Sequence, residues 1–126
     1  MSNQENERVI LRWFDALNKA DIPRLDQMAS ECFSPDFVGH DPRMAEFEHG
    51  PTGVKNFIHQ LLKENTAVQV TIHDIFSNED RIAYRFSVSM TDIASGRMVD
   101  VMLLAIDRFV DGQIAEEWQL SAPGNW

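Results

Sequence analysis

The chain contains one cysteine, Cys32, and one tyrosine, Tyr84, among 126 residues. A lone thiol makes neither an internal disulfide nor a cysteine-based zinc site. Cys32 closes an apolar helical pattern beside Phe33, so it is expected to be a buried structural thiol rather than a reactive one. There is no run of Lys or Arg: 20 acidic residues stand against 11 basic ones, for a net charge of −9. That excludes the basic footprint by which nucleic acids and anionic membrane surfaces are bound. No apolar run approaches the ~20 residues that cross a bilayer. The polar, acidic start Met1–Glu7 lacks the basic and apolar regions of a signal peptide, so a reducing cytoplasm is the expected location. The sequence has no Gly-rich phosphate loop, no Gly-x-Ser-x-Gly elbow and no His-x-x-x-His spacing. Nucleotide, serine-hydrolase and metal readings drop out with them, and no cofactor is expected.

What is present is an ordinary globular mixture, 44% hydrophobic and 25% charged, in a length that suits one domain over residues 1–126. Val9, Ile10, Trp13, Phe14 and Leu17 recur at helical spacing, with Glu5 and Glu7 in the first turn where the helix dipole favours them. Asp21 caps a second, short helix that tolerates Pro23 and turns Leu25, Met28 and Ala29 inward, and Ser34-Pro35 ends it. Asp36 to Asp41 reads as a short extended piece, stopped by Pro42. Gly50-Pro51 opens a third helix to about Glu64, with Val54, Phe57, Ile58, Leu61 and Leu62 as its apolar stripe. The period then changes to two, and strands are expected over 67–76, 81–93, 97–109 and 113–121. Helices first and antiparallel strands after make the class α+β, with helices on one face of a curved sheet.

Two-residue turns at Ser95-Gly96 and Asp111-Gly112 would set Tyr84 opposite Asp107, and Asp107 opposite Glu116, with Ala105 opposite Trp118. Tyr84, Phe86, Val88 and Met90 then share an apolar face with Leu103, Ala105 and Phe109, which the helices must cover. Glu117 and Gln119 fall on the solvent face. Met102, Leu104 and Ile106 are also on that outer face, which points to a homodimer formed sheet to sheet, with cover by the C-terminal tail as the alternative. Tyr84, Asp107 and Glu116 make a polar row in the apolar face. If buried, one acid is driven toward its protonated form and, beside Tyr84, becomes a donor for an enolate or other oxyanion. If the row lies at the turn end of the sheet, its members simply reach water. His73 is ambiguous, since the alternation of Val68, Val70, Ile72 and Phe76 conflicts with an even turn at Asn78-Glu79 unless a bulge intervenes.

The segment Phe37-Val38-Gly39-His40-Asp41-Pro42, the helix start Gly50-Pro51-Thr52-Gly53, the strand Asp80–Arg85 and the stretch Arg108–Trp118 with its Asp-Gly-x-Ile-x-Glu-x-Trp pattern occur in that order. In this layout the chain resembles the SnoaL-like, polyketide-cyclase-like branch of the superfamily named for nuclear transport factor 2. The resemblance implies a cystatin-like fold: a cone-shaped curved antiparallel sheet, three N-terminal helices packed on its concave face, a cavity between them, and a dimer through the sheet. It implies His40 and Asp41 at the cavity border and Trp118 on the last strand. The cyclases carry an acid/base aspartate just beyond that tryptophan. Here Gln119, Leu120, Ser121 and Ala122 follow instead.

These readings converge on a protein that binds a small, mostly apolar organic molecule. Either it performs cofactor-free isomerisation or cyclisation by proton transfer, or it is a non-catalytic binding or interaction module of the same fold. His40 and Asp107 are the candidate proton carriers, His40 because imidazole titrates near neutrality, and Tyr84 is the candidate oxyanion donor. Trp13, Phe57, Glu116 and Trp118 are the candidate substrate contacts. Asp41, next to His40 on an extended segment and so pointing the other way, is expected to form a turn.

Overall fold

The computed structural model describes residues 2–44 and 47–126. Helix α1 (Asn3–Asn18) starts in a capping box: the Ser2 hydroxyl accepts from the Glu5 N–H and the Glu5 carboxylate accepts from the Ser2 N–H, which satisfies two otherwise orphaned donors. Its buried stripe is Val9, Ile10, Trp13, Ala16 and Leu17. Helix α2 (Ile22–Cys32) is capped by Asp21, has Pro23 in its first turn, and buries Leu25, Met28, Ala29 and Cys32. Burial pushes the Cys32 thiol pKa up, which keeps it from being a reactive thiolate. Helix α3 (Gly50–Glu64) begins at Gly50, where φ is +76°, and three residues later Gly53 passes so close to the Glu48 carbonyl that a Cβ there would sit 1.8 Å from its oxygen. That close approach is why the start of this helix needs glycine.

Five strands follow the order β1-β5-β4-β3-β2: β1 (Phe33–His40), β2 (Asn65–Asn78), β3 (Arg81–Asp92), β4 (Met98–Val110) and β5 (Gln113–Pro123). The helices lie over one face, called inner here, and close a core from Ile10, Leu25, Phe37 and Ile58 down to Ile82, Phe86 and Ile114. Asn18 ties α1 to the sheet, its amide exchanging two hydrogen bonds with the main chain of Val70 at 3.0 and 2.6 Å.

This architecture corrects the expected cone-shaped antiparallel sheet. The class is α+β with three helices, but the sheet is mixed and open, neither closed nor strongly curled. β1 and β2 are its two free edges, and β1 runs parallel to β5. The segment expected to be only a short extended piece is this edge strand, with Phe33 and Phe37 buried and an irregular register between Phe33 and Val38. An edge accommodates Pro35, which has no N–H to donate. A parallel partner distant in sequence leaves no hairpin signature, so nothing local announces this pairing.

Two registers also differ from expectation. The β3–β4 turn is closed by the Asp92 N–H donating to the Arg97 carbonyl, with four residues, Ile93 to Gly96, inside it, so Tyr84 pairs with Ala105 and Ile82 with Asp107. An even shift keeps the same residues on the same face. The Asp111-Gly112 turn does have two residues, with φ of 50° and 78° as a type I′ turn requires. Beyond it the register slips: Phe109 pairs with Ile114, yet Arg108 pairs with Glu116. Ala115 is the extra residue of a bulge, and from there every β5 side chain changes face. Glu117, Gln119 and Ser121 turn inward, whereas Glu116, Trp118 and Leu120 turn outward. A second bulge, at His73 in β2, places its ring against Ser87 Oγ at 3.0 Å on the outer side and leaves Phe76 exposed.

Candidate functional site

Between the helices and the inner face lies a cavity of about 320 Å³. Its walls are apolar and largely aromatic: Trp13 and Phe14 from α1, Phe37 from β1, Phe57 from α3, Phe86 from β3 and Leu103 from β4. The rings meet edge-on or tilted, as in Phe14 with Tyr84 at 6.0 Å and Phe47 with Phe57 at 6.1 Å, the arrangements that aromatic quadrupoles favour.

One wall is polar. Tyr84 and Asp107 stand on neighbouring strands, and the β5 bulge delivers Glu117 beside them. The Tyr84 hydroxyl donates to this pair, 2.9 Å from Asp107 Oδ2 and 3.3 Å from Glu117 Oε2. Asp107 is 0% exposed, and its Oδ1 has no hydrogen-bond partner among the described residues. Burial raises the Asp107 pKa well above the usual range, the charge of Glu117 and a carboxyl–carboxyl hydrogen bond raise it further, and the Tyr84 bond lowers it only in part. An ionised, half-satisfied carboxylate here would carry the full cost of desolvation, so the neutral acid is the resident form. Glu117 is also raised, first by burial and also by the charge of Asp41; the hydrogen bonds from Asp107 and Tyr84 offset only part of that rise. Burial and the adjacent acids push the Tyr84 phenol up, which keeps it protonated. The row therefore presents two buried acids of unequal shift, Asp107 the more strongly raised and Glu117 the less, so that Glu117 is the member of the pair that gives up its proton first, facing an apolar cavity. This is the arrangement of a tuned proton acceptor.

The inward β5 positions continue this polar wall. The Gln119 amide donates to Asp41 Oδ2 at 3.2 Å, and Arg43 Nη1 donates to Ser121 Oγ at 2.8 Å. Asp41 also accepts from the Arg43 N–H at 2.9 Å through Oδ1, so it forms the expected turn while lining the cavity.

The sequence candidates are thus divided. Trp13, Phe57, Tyr84 and Asp107 line the cavity. Glu116 and Trp118 sit on the outer face because of the bulge. His40 borders the cavity, but its ring points outward: it is 45% exposed, hydrogen-bonds Glu116 Oε2 at 2.7 Å and stacks on Trp118 at 5.5 Å. The His40 bond, with help from Arg108, lowers the Glu116 pKa. The Arg81 guanidinium also lies over the Trp118 ring, 5.4 Å from its centroid. Glu117, Gln119, Ser121 and Arg43 were not singled out as site residues from the sequence, whereas Asp41 lines the cavity border where the resemblance implies it. The signal that could have found three of them is the alternation of Glu117, Gln119 and Ser121, a polar stripe opposite Leu103 and Ala105. Among the described residues no group of His, Cys, Asp and Glu is placed to hold a metal ion, and no helix is long and apolar enough to cross a membrane.

The sequence pattern of the SnoaL-like domain matches residues 10–117, which span α1 through the polar row. The chain belongs to the SnoaL-like family. Solved structures share this SnoaL-like fold. TsrD from Streptomyces laurentii is 20% identical, with a TM-score of 0.83 over 96% of this chain and 90% of that one. IdmH from Streptomyces antibioticus, a proposed polyketide cyclase, is 23% identical, with a TM-score of 0.75 over 92% and 91%. AclR from Streptomyces galilaeus, a proposed hydroxylase, is 25% identical, with a TM-score of 0.77 over 98% and 91%. No curated protein sequence matches the chain. Relatives with differing assigned chemistries leave the reaction of this SnoaL-like chain to be argued from its own site.

Proposed function

We propose that the protein binds a compact, mostly apolar organic molecule in the inner cavity and catalyses cofactor-free proton transfer on it, as in an isomerisation or an aldol-type ring closure. The observation that carries this reading is the Tyr84–Asp107–Glu117 row set into an otherwise apolar, aromatic wall. Glu117 takes a proton from a carbon next to a carbonyl, and the C–H electron pair moves onto the carbonyl oxygen. Asp107 remains neutral and positions Glu117. As the negative charge moves from Glu117 to the substrate, the Tyr84 hydroxyl, shared between Asp107 at 2.9 Å and Glu117 at 3.3 Å, turns from this pair to the new oxyanion. Returning the proton to another carbon completes an isomerisation; attack of the enolate on a second carbonyl completes a closure. His40 has no part in this scheme, because its ring is engaged on the outer face.

A simple test uses 2-tetralone, an apolar ketone small enough for the cavity, in D2O. The protein should accelerate deuterium uptake at its acidic carbons. Glu117→Gln should abolish the acceleration, a loss of roughly 10²-fold or more for a removed general base. Asp107→Asn should retain most of it, because the amide donates to Glu117 as the neutral acid does. Equal rates with Glu117→Gln and the unaltered chain would sink the scheme. The absence of an acid after Trp118, where Gln119 and Ser121 face inward, favours a second reading as a non-catalytic binding module. Thermal stabilisation by 2-tetralone with no exchange would select it.

The outer face leaves Phe76 69% and Leu120 61% exposed, alongside Leu104 and Ile106. We infer that a second copy of the chain covers it in a homodimer, since a monomer rarely leaves so much contiguous apolar surface in water.

A further inference from the structure

The polar wall is not uniform along its length, and its two ends differ in kind. At one end Glu117 offers a proton acceptor. Four residues along the same strand, about 13 Å away at the rise of an extended chain, Ser121 is held by Arg43. Between them Gln119 bonds to Asp41. The two oxygens of Asp41 are taken by Gln119 and by the main-chain N–H of Arg43, so the turn Asp41-Pro42-Arg43 places the guanidinium at the cavity wall rather than pairing with it. Arg43 lines the cavity yet stays exposed, which puts it at the mouth. A guanidinium has five N–H donors in a planar fork, and Ser121 Oγ accepts one of the two on Nη1. A hydroxyl that accepts from a guanidinium turns its own hydrogen elsewhere. Arg43 and Ser121 together thus form adjacent donors facing the opening, a geometry that matches the two oxygens of a carboxylate.

We propose that Arg43 and Ser121 form an anion-recognising mouth, so that the ligand of this cavity is an apolar, ring-bearing molecule with a carboxylate at the end remote from the reacting carbon. The inference rests on the cavity being the ligand site, and it adds a chemical class to that reading. It also orients the ligand: the carboxylate stays in the wet mouth, and the carbon to be deprotonated lies against Glu117. An acid entering the other way would set its carboxylate against Glu117 and be repelled.

The test compares 3-(2-naphthyl)propionate with 3-(2-naphthyl)propionamide, which share shape and apolar body and differ in charge. Binding is measured by calorimetry at pH 8 and low ionic strength. The acid should bind about ten-fold more tightly than the amide, and added salt should erode that preference while leaving the amide unaffected. In Arg43→Gln the acid should fall to the affinity of the amide, with the affinity of the amide unchanged. Arg43→Lys should keep part of the preference, because it keeps charge but not the fork. Arg43 is exposed on a loop, so these variants are expected to fold, and an unchanged melting temperature verifies it. An acid that binds no better than the amide in the unaltered chain, or a preference that survives Arg43→Gln, overturns the proposal while leaving the cavity as the ligand site. If neither compound binds at millimolar concentration, the cavity reading itself falls, and this one with it.

Discussion

Replacing Asp107 with Asn removes an ionisable proton from the most buried polar position of the protein and changes almost nothing else. The side chain is 0% exposed, faces only Tyr84 and Glu117 among polar groups, and is held by burial well above the usual aspartate range. Below that ordinary range both folded and unfolded chains are protonated there, and Asp107 contributes no pH dependence. As the pH rises, the unfolded chain releases the proton and the folded chain keeps it. Stability is therefore lost at about 1.4 kcal/mol per pH unit for each proton retained. The loss continues until the folded carboxyl ionises. Asn has the same shape, donates to Glu117 as the neutral acid does, and carries no such slope. Urea unfolding of both chains between pH 5 and 7 should therefore show the variant gaining on the parent with rising pH, by as much as about 2.7 kcal/mol over those two units. The gain should vanish toward pH 4. A stability difference that stays flat from pH 5 to 7 would show that Asp107 ionises normally in the folded chain, and the argument for a neutral acid supporting Glu117 would fail.

Two further outcomes follow from packing. Gly53→Ala would place a Cβ 1.8 Å from the Glu48 carbonyl oxygen, so the start of α3 must shift; the melting temperature should drop by the equivalent of about 1–3 kcal/mol, and an unchanged value would contradict the close approach. Ile106→Asp sets a charge in the middle of the exposed outer face. Sedimentation should show the parent at twice the 14.4 kDa chain mass and the variant near that mass, and a monomeric parent would remove the dimer.

Much of the framework was legible because it rests on local chemistry. The stripe from Val9 to Leu17, the Asp21 cap with Pro23, and the Asp111-Gly112 turn each act within a few residues, and each forms where spacing and turn chemistry predict. The inner face of β3 and β4 could be read although the β3–β4 loop is two residues longer than expected, since an even error preserves the face. On β5 the same reasoning failed, and the cause is physical. Hydrophobic alternation says that Ile114, Trp118 and Leu120 share the buried side. The bulge at Ala115 separates Ile114 from the other two, and the cavity reverses the usual preference by placing polar groups inside. Binary patterning assumes a dry core, so it misassigns residues where the interior is hollow and chemically equipped. That is why the alternation points to Glu116 where the structure has Glu117. The edge strand β1, and with it the open mixed sheet, was hidden because a parallel pairing across about eighty residues has no local signature. Asp41 forms the turn that its place before Pro42 predicts, and at the cavity border implied by the resemblance its second oxygen accepts from Gln119.

Every chemical step assigned to this protein requires a neutral Asp107 beside an ionisable Glu117 in the cavity wall. The most direct test is a carbon-13 NMR titration of the side-chain carboxyl carbons of Asp107 and Glu117. The Asp107 resonance should keep its protonated position after the exposed aspartates have ionised, and it should respond when Glu117 titrates. If Asp107 instead ionises together with the surface aspartates, and Glu117 titrates without affecting it, the row is two ordinary carboxylates and the proton-transfer site does not exist.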